Sequence, residues 1–302
     1  SLPYPDYSMY DMSAFGRLYH PPTNRFHQEI SMFASRGCPY KCHFCHISKE
    51  LEGSLGGNTR KYRIKSINRI IKELKILKNL GVKYVFIEDD SLLAKKERAK
   101  EIFSKVKELG LQLADVNGIN LAHLCTKVDG KLGVDDALME SMAGAGFKRL
   151  QYPIESASQR ILDKYATGKL NLKKHDVFGL IKKANELGIE VVGNYTFGYP
   201  DETLFEALKT LFLAKKHVAH GLNAANFMFI TPFPGTQLYD YAIEKNILRD
   251  DINLESMDWT RPSMKTKVPG WFFRLIITKG WQWVNNPERI KRIKSFRTTK
   301  KN

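Results

Sequence analysis

The stretch Ser35-Arg36-Gly37-Cys38-Pro39-Tyr40-Lys41-Cys42-His43-Phe44-Cys45-His46 decides how the rest of this chain is read. Cys38, Cys42 and Cys45 bring three thiols to one loop, one short of closing a four-ligand metal site. Soft thiolates select iron–sulfur clusters, zinc or copper(I). A cubane cluster offers four irons, so three cysteines would leave one iron open. Other readings share some of these residues. Cys42-His43-Phe44-Cys45-His46 also matches the C-x-x-C-H haem attachment pattern, and His43 or His46 would complete a zinc site. Haem attachment calls for export, and Ser1–Tyr10 shows no signal-peptide pattern. Zinc sites pair two ligand dyads, and no second dyad follows downstream. A structural zinc-binding scaffold stays open as the non-enzyme reading.

Outward from this loop, short apolar runs alternate with amphipathic helical patterns, which predicts βα units around a parallel sheet. Strands are expected at Glu29–Ala34, Tyr84–Ile87, Leu111–Val116, Lys148–Ile154, Glu190–Thr196 and Asn226–Ile230. Helices are expected at Ile67–Leu80, Glu97–Leu109, Asp135–Met142, Lys173–Leu187 and Glu202–Lys216. Six units are fewer than the eight of a closed barrel, giving an α/β fold, a partial (β/α)6 TIM-like barrel. Barrel logic places chemistry at the C-terminal strand ends. The cysteine loop follows the first strand. Glu88-Asp89-Asp90 ends the second, three consecutive acids that are costly unless something positive binds there; the bland alternative is that they cap the following turn. Tyr152-Pro153-Ile154-Glu155-Ser156-Ala157-Ser158-Gln159-Arg160 ends the fourth, where a serine would also suit a helix cap. Gly193-Asn194-Tyr195-Thr196-Phe197-Gly198-Tyr199-Pro200-Asp201-Glu202 covers the fifth, and Ile230-Thr231-Pro232-Phe233-Pro234-Gly235-Thr236 the end of the sixth. Cys125 reads as a small buried hydrophobe.

Taken in order, these motifs resemble the radical S-adenosylmethionine (SAM) superfamily over about Glu29 to Ile247. Its cluster motif is C-x3-C-x-aromatic-C, with Phe44 as the aromatic. The resemblance implies a 4Fe-4S cluster on Cys38, Cys42 and Cys45, with SAM chelating the open iron and cleaved to a 5′-deoxyadenosyl radical. It places the SAM amino group near Glu88 and Asp89, and its ribose or carboxylate near Glu155, Ser156 and Arg160. The adenine would lie near Gly193 and Asn194. Ala157 stands where glycine is usual. An arginine could grip a carboxylate through two parallel hydrogen bonds. The Asp-Asp form and Pro5–Met12 are similar to the cobalamin-associated branch, whose N-terminal cobalamin domain is expected to be missing from this chain. The expected reaction is therefore methylation of an unactivated carbon of a lipid, isoprenoid or natural-product substrate, with cobalamin as a further cofactor. A cobalamin-free radical oxidoreductase and an RNA-modifying enzyme are the alternatives. No residue suggests itself as the catalytic group beyond cofactor binding, and an electron donor such as flavodoxin or ferredoxin is implied.

The chain has 302 residues, a net charge of +16 and four cysteines. Clustered cysteines argue against a disulfide scaffold and for a reducing cytosol. The organisation expected is an N-terminal arm or interdomain linker (1–28), the partial barrel (29–247) and a basic, aromatic C-terminal extension (248–302). From Arg261 onward there are twelve Lys or Arg against one acid, Glu288, interleaved with Trp271, Phe272, Phe273, Trp281 and Trp283. This composition suits an anionic membrane surface, giving a cytoplasmic protein that is peripheral at the membrane. Nucleic acid is a weaker candidate, because no base-reading module precedes the tail. The bland alternative is a solvated basic tail whose aromatics partly cover the barrel.

Overall fold

In the computed structural model the described residues are 3–7, 29–47, 62–128, 131–285 and 287–288. Most of the expected N-terminal arm and the basic run from Arg289 lie outside them. Six strands form one parallel sheet in chain order: β1 (Glu29–Met32), β2 (Tyr84–Ile87), β3 (Gln112–Asp115), β4 (Phe147–Glu155), β5 (Glu190–Phe197) and β6 (Ala224–Phe229). Helices α1 (Ile67–Asn79), α2 (Lys96–Lys107), α3 (Asp136–Gly144), α4 (Gln159–Tyr165), α5 (Val177–Glu186) and α6 (Leu204–Ala219) connect them. After β6 come α7 (Gln237–Glu244), α8 (Gly270–Leu275) and α9 (Trp281–Val284), with a π-helical turn between the last two. Strands adjacent in sequence are adjacent in space, as in the expected partial barrel, and β1 and β6 form the two edges.

The pattern explains the layers. Strand β2 is buried throughout. Its alternate residues therefore serve two apolar faces: Val85 and Ile87 join the large cluster containing Leu74, Leu77 and Val106 of the helices. Tyr84 and Phe86 pack with Ala114 on the other face. In α1 the side chain of Ser66 caps the helix, and Ile70, Leu74 and Leu77 recur at helical spacing on its buried stripe. Each such side chain contributes roughly 1.5–3 kcal/mol when fully buried.

Several boundaries differ from the sequence expectation. Strand β1 stops at Met32, and Ser35–Arg36 leaves it to pair antiparallel with Arg63–Ile64. Helix α5 starts at Val177 rather than Lys173, because Asp176 caps it by accepting the Gly179 N–H. Helix α6 starts after Thr203, which with Glu206 forms a capping box, and runs on to Ala219. The hairpin Cys125–Val128 with Lys131–Val134 carried no recognised signal. Cys125 is buried, as expected. The extension is partly structural: Phe273, Ile276 and Val284 belong to the main core, while Trp271 and Trp283 stay exposed. It also covers the β6 edge. The Asn285 side-chain amide pairs with both backbone groups of Ala225, at 2.9 and 3.0 Å, and the Phe229 N–H donates to the Trp259 carbonyl at 2.9 Å. Among the described residues no helix is long and apolar enough to cross a membrane.

Candidate active site

The cysteine loop is held from two sides. Gly37, at φ +95°, turns the chain out of the sheet into the loop. Its N–H donates to Asp90 at 2.7 Å, and the Ala34 N–H donates to Asp89 at 2.6 Å. The Ser35 hydroxyl also donates to Asp89, and that of Ser31 to Glu88. On the other side Lys41–Cys42 pairs antiparallel with Ala166–Thr167, which follows α4. The His43 N–H donates to the Tyr165 carbonyl at 2.8 Å.

This loop forms one wall of a cavity of about 500 Å3 at the C-terminal strand ends, lined by all three loop cysteines together with Phe44, Asp90, Glu155 and Asn194. Burial pushes the Cys42 thiol up to about 12 and also raises Cys38 and Cys45, while the Lys169 ammonium opposes all three shifts. Lys169 lines the same cavity and donates to Glu155 Oε1 at 2.8 Å. Burial works against its charge, but the Glu155 carboxylate, through its charge and hydrogen bond, outweighs that and holds it protonated. Glu155 sits at φ +65°, a left-handed conformation unusual for a side-chain-bearing residue, and accepts from Thr196 Oγ1 at 2.6 Å as well.

Not every expected residue reaches the cavity. Phe44, Glu155 and Asn194 do. Glu88 and Asp89 instead tether β1 and the start of the loop, and Asp90 is the member of the acidic run that lines the cavity. Burial raises Asp89 to about 6, against the bonds from Ser35 and Ala34. Ser156 is fully buried behind the strand, with its hydroxyl 3.3 Å from that of Thr210. Gly193 faces Leu222 and Tyr195. The place of Gly193 follows from alternation, since a strand that turns Asn194 inward must turn its neighbour outward. Ser156 lies just past the end of β4, after Glu155 has left the extended conformation. Arg160 stands on the surface, its guanidinium held by Glu206 at 2.7 and 2.9 Å and by Asp201 at 2.7 Å, so the structure does not bring it to the site.

Sequence reading missed Lys169, Asn120 and Trp259. Lys169 sits in Ala166-Thr167-Gly168-Lys169, and only the pairing with Cys42 reveals its place. Asn120 lines the cavity with a buried Nδ2 that has no hydrogen-bond partner among the described residues. At the outer end Trp259 packs edge-on against Phe233, centroids 5.7 Å apart, and Phe233 against His46 at 5.9 Å.

The residues fit a cluster with a bound organic ligand. The three converging side chains are all thiols, which suits iron and sulfide. Beside them lie an ammonium, two carboxylates and an orphan amide donor, in a cavity of metabolite size.

A parallel partial barrel that gathers three thiols at its C-terminal rim defines a class of cluster-bearing α/β enzymes. The chain belongs to the radical SAM superfamily, whose family model matches residues 32–214. It is 31% identical to an uncharacterized methyltransferase of Pyrococcus horikoshii, over 78% of this chain and 46% of that protein. It is 26% identical to cytidylyl-2-hydroxyethylphosphonate methyltransferase of Streptomyces wedmorensis, over 89% of this chain and 48% of that one. The chain thus spans about half the length of the curated relatives it matches. In fold it is similar to the radical SAM methyltransferase TsrM of Kitasatospora setae with tryptophan and a SAM analog bound (TM-score 0.62, 15% identity, 86% of this chain, 52% of that one). It is also similar to the cobalamin-dependent radical enzyme OxsB with cobalamin and SAM bound (TM-score 0.59, 14% identity, 89% of this chain, 45% of that one).

Proposed function

We propose that this protein is a radical SAM methyltransferase that uses a 4Fe-4S cluster and SAM to methylate an unactivated carbon. The observation that carries the reading is the meeting of three thiols, the Lys169–Glu155 pair and Asp90 in one cavity. When bound, the cluster and SAM supply one-electron cleavage to a carbon radical able to abstract hydrogen. The chain's own residues do the rest. Cys38, Cys42 and Cys45 hold the cluster as thiolates, and the Lys169 charge favours their ionisation. Asp90 accepts the SAM ammonium, and Phe44, Glu155 and Asn194 bound the nucleoside. Glu88, Asp89, Ser156 and Gly193 act indirectly, by fixing the backbone that presents these groups. The apolar outer end, with Met228, Ile230, Phe233 and Trp259, suits a lipid, isoprenoid or aromatic natural-product substrate and excludes water from it. Relatives named as methyltransferases support methyl transfer, and cobalamin would serve as the methyl carrier, whether held by a longer form of this protein or by a partner. An electron donor of the flavodoxin or ferredoxin class would be the partner that supplies the electron. The protein works in the reducing cytosol, at the surface of an anionic membrane.

Anaerobic reconstitution with iron and sulfide tests this. The parent protein should gain visible absorption and release methionine from SAM under reduction. Cys42→Ala should lose both, and Asp90→Ala should assemble the cluster yet bind SAM at least tenfold more weakly. Methionine release by Cys42→Ala at the parent rate would overturn the assignment.

A further inference from the structure

Away from the active site, α6 shows the solvent an unusual stripe. Phe205, Lys209, Phe212 and Lys216 follow one another at helical spacing, aromatic and basic in alternation, and all four are exposed. Phe205 is 66% and Phe212 53% exposed, although burying such rings is ordinarily what organises a helix. Trp283 of α9 extends the patch, 48% exposed and edge-on to Phe212 at 5.6 Å. The groove beside the stripe, of about 720 Å3, is lined by Lys173, Lys174, Lys209 and Lys216 over apolar Leu172 and Leu213. None of these lysines forms an ion pair with a described residue. Asp176, the one acid among the described residues that line the groove, is committed to capping α5.

We infer that this face of α6, with Trp283, docks on an anionic lipid bilayer. The inference rests on the membrane-surface placement proposed above but locates it on residues outside the basic tail that first suggested it. Charge and shape single out the occupant. Unpaired lysines around a groove attract phosphate headgroups, and aromatic rings at its rim suit the depth of the headgroup layer. Nucleic acid fits less well, because stacking needs free ring faces. Here Lys209 lies over the Phe205 ring at 4.5 Å and Lys215 over Trp283 at 5.2 Å, so ammonium groups occupy those faces. A bilayer asks only for ring edges and positive charge. Docked this way, the protein would sit beside a membrane that could hold its apolar substrate.

Cosedimentation of the reconstituted full chain with phosphatidylcholine vesicles, with and without phosphatidylglycerol, tests the proposal. The parent should bind the anionic vesicles selectively. Lys209→Glu with Lys216→Glu should lower that partition by about 25-fold or more, on the order of fivefold per lysine. Phe205→Ser with Phe212→Ser should lower it as well. Unchanged visible absorption in both variants shows that they remain folded. Parent-like vesicle binding by both double variants would overturn the α6 assignment and leave membrane placement standing elsewhere in the chain. Failure of the parent itself to bind would overturn both. RNA binding that the lysine variant abolishes while vesicle binding persists would give the face to nucleic acid and also overturn the proposal.

Discussion

Lys169 shows how one side chain can serve two accounts. Its ammonium neutralises buried Glu155 at 2.8 Å and eases ionisation of the buried Cys42 thiol and the half-buried Cys38 and Cys45 thiols. Replacing it by methionine strands a buried carboxylate, which costs on the order of 3–5 kcal/mol. Lys169→Met should therefore unfold at lower urea concentration than the parent and need a higher pH to take up iron. In Lys169→Met combined with Glu155→Gln the stability should largely return and the iron-uptake profile should return only in part, because losing the Glu155 charge also eases Cys42 ionisation. Urea titration together with iron content measured against pH separates the two roles. Full recovery of both in the double variant would show that the lysine serves Glu155 alone. Nothing local in Thr167-Gly168-Lys169 marks this residue. The cysteines were legible because their spacing is their chemistry, whereas Lys169 acquires meaning only from a strand pairing between distant segments.

At the scale of elements, periodicity carried most of the information. All six strands and five of the six helices between them were readable from apolar spacing, because burial on one face or two writes itself into the sequence; the short α4 (Gln159–Tyr165) was not expected. The errors fell where a polar cap outweighs the pattern, as at Asp176 and Thr203, and where a strand end turns one residue in and the next out. That alternation separates Asn194 from Gly193, while Ser156 lies beyond the left-handed turn at Glu155. Edge protection was also invisible beforehand. Asn285 completes the pairing of β6 by imitating a strand with its side chain, meeting both the N–H and the carbonyl of Ala225. Asn285→Leu leaves both groups buried and unpaired, at roughly 1–3 kcal/mol each. The expected result is a lower urea midpoint, with concentration-dependent association through the unpaired edge, once local opening uncovers it, visible by size-exclusion chromatography. A variant as stable and monomeric as the parent would show that the edge needs no such cover.

For the whole molecule, buried acids set the response to pH. Burial raises Glu202 to about 8, against hydrogen bonds from the Gly198 and Tyr199 N–H groups, and raises Asp115 to about 7, against bonds from Gln151 and Gly118. Glu202 Oε1 is buried without a partner among the described residues. A carboxyl whose folded value is raised binds more protons folded than unfolded. Its stabilising contribution is present at low pH and is lost as pH rises through the folded value. His123 and His217, both lowered to about 4 by burial, act in the opposite sense but only up to their unfolded value near 6.5. Between about pH 6.5 and 8 the acids act alone, so stability should fall as pH rises. Glu202→Gln should flatten that decline in thermal-unfolding midpoints, and an equal decline in the variant would show that Glu202 is ionised in the fold.

The ribbon joining Lys41–Cys42 to Ala166–Thr167 also bears on how the protein is made. Its second half is synthesised more than one hundred residues after its first. While the ribosome completes that interval, the cysteine loop lacks the segment that later shelters it, and its thiols stand open to oxidants and stray metals. Growth under air should therefore leave a nascent population with damaged cysteines, whereas chain completed before oxygen exposure should keep them.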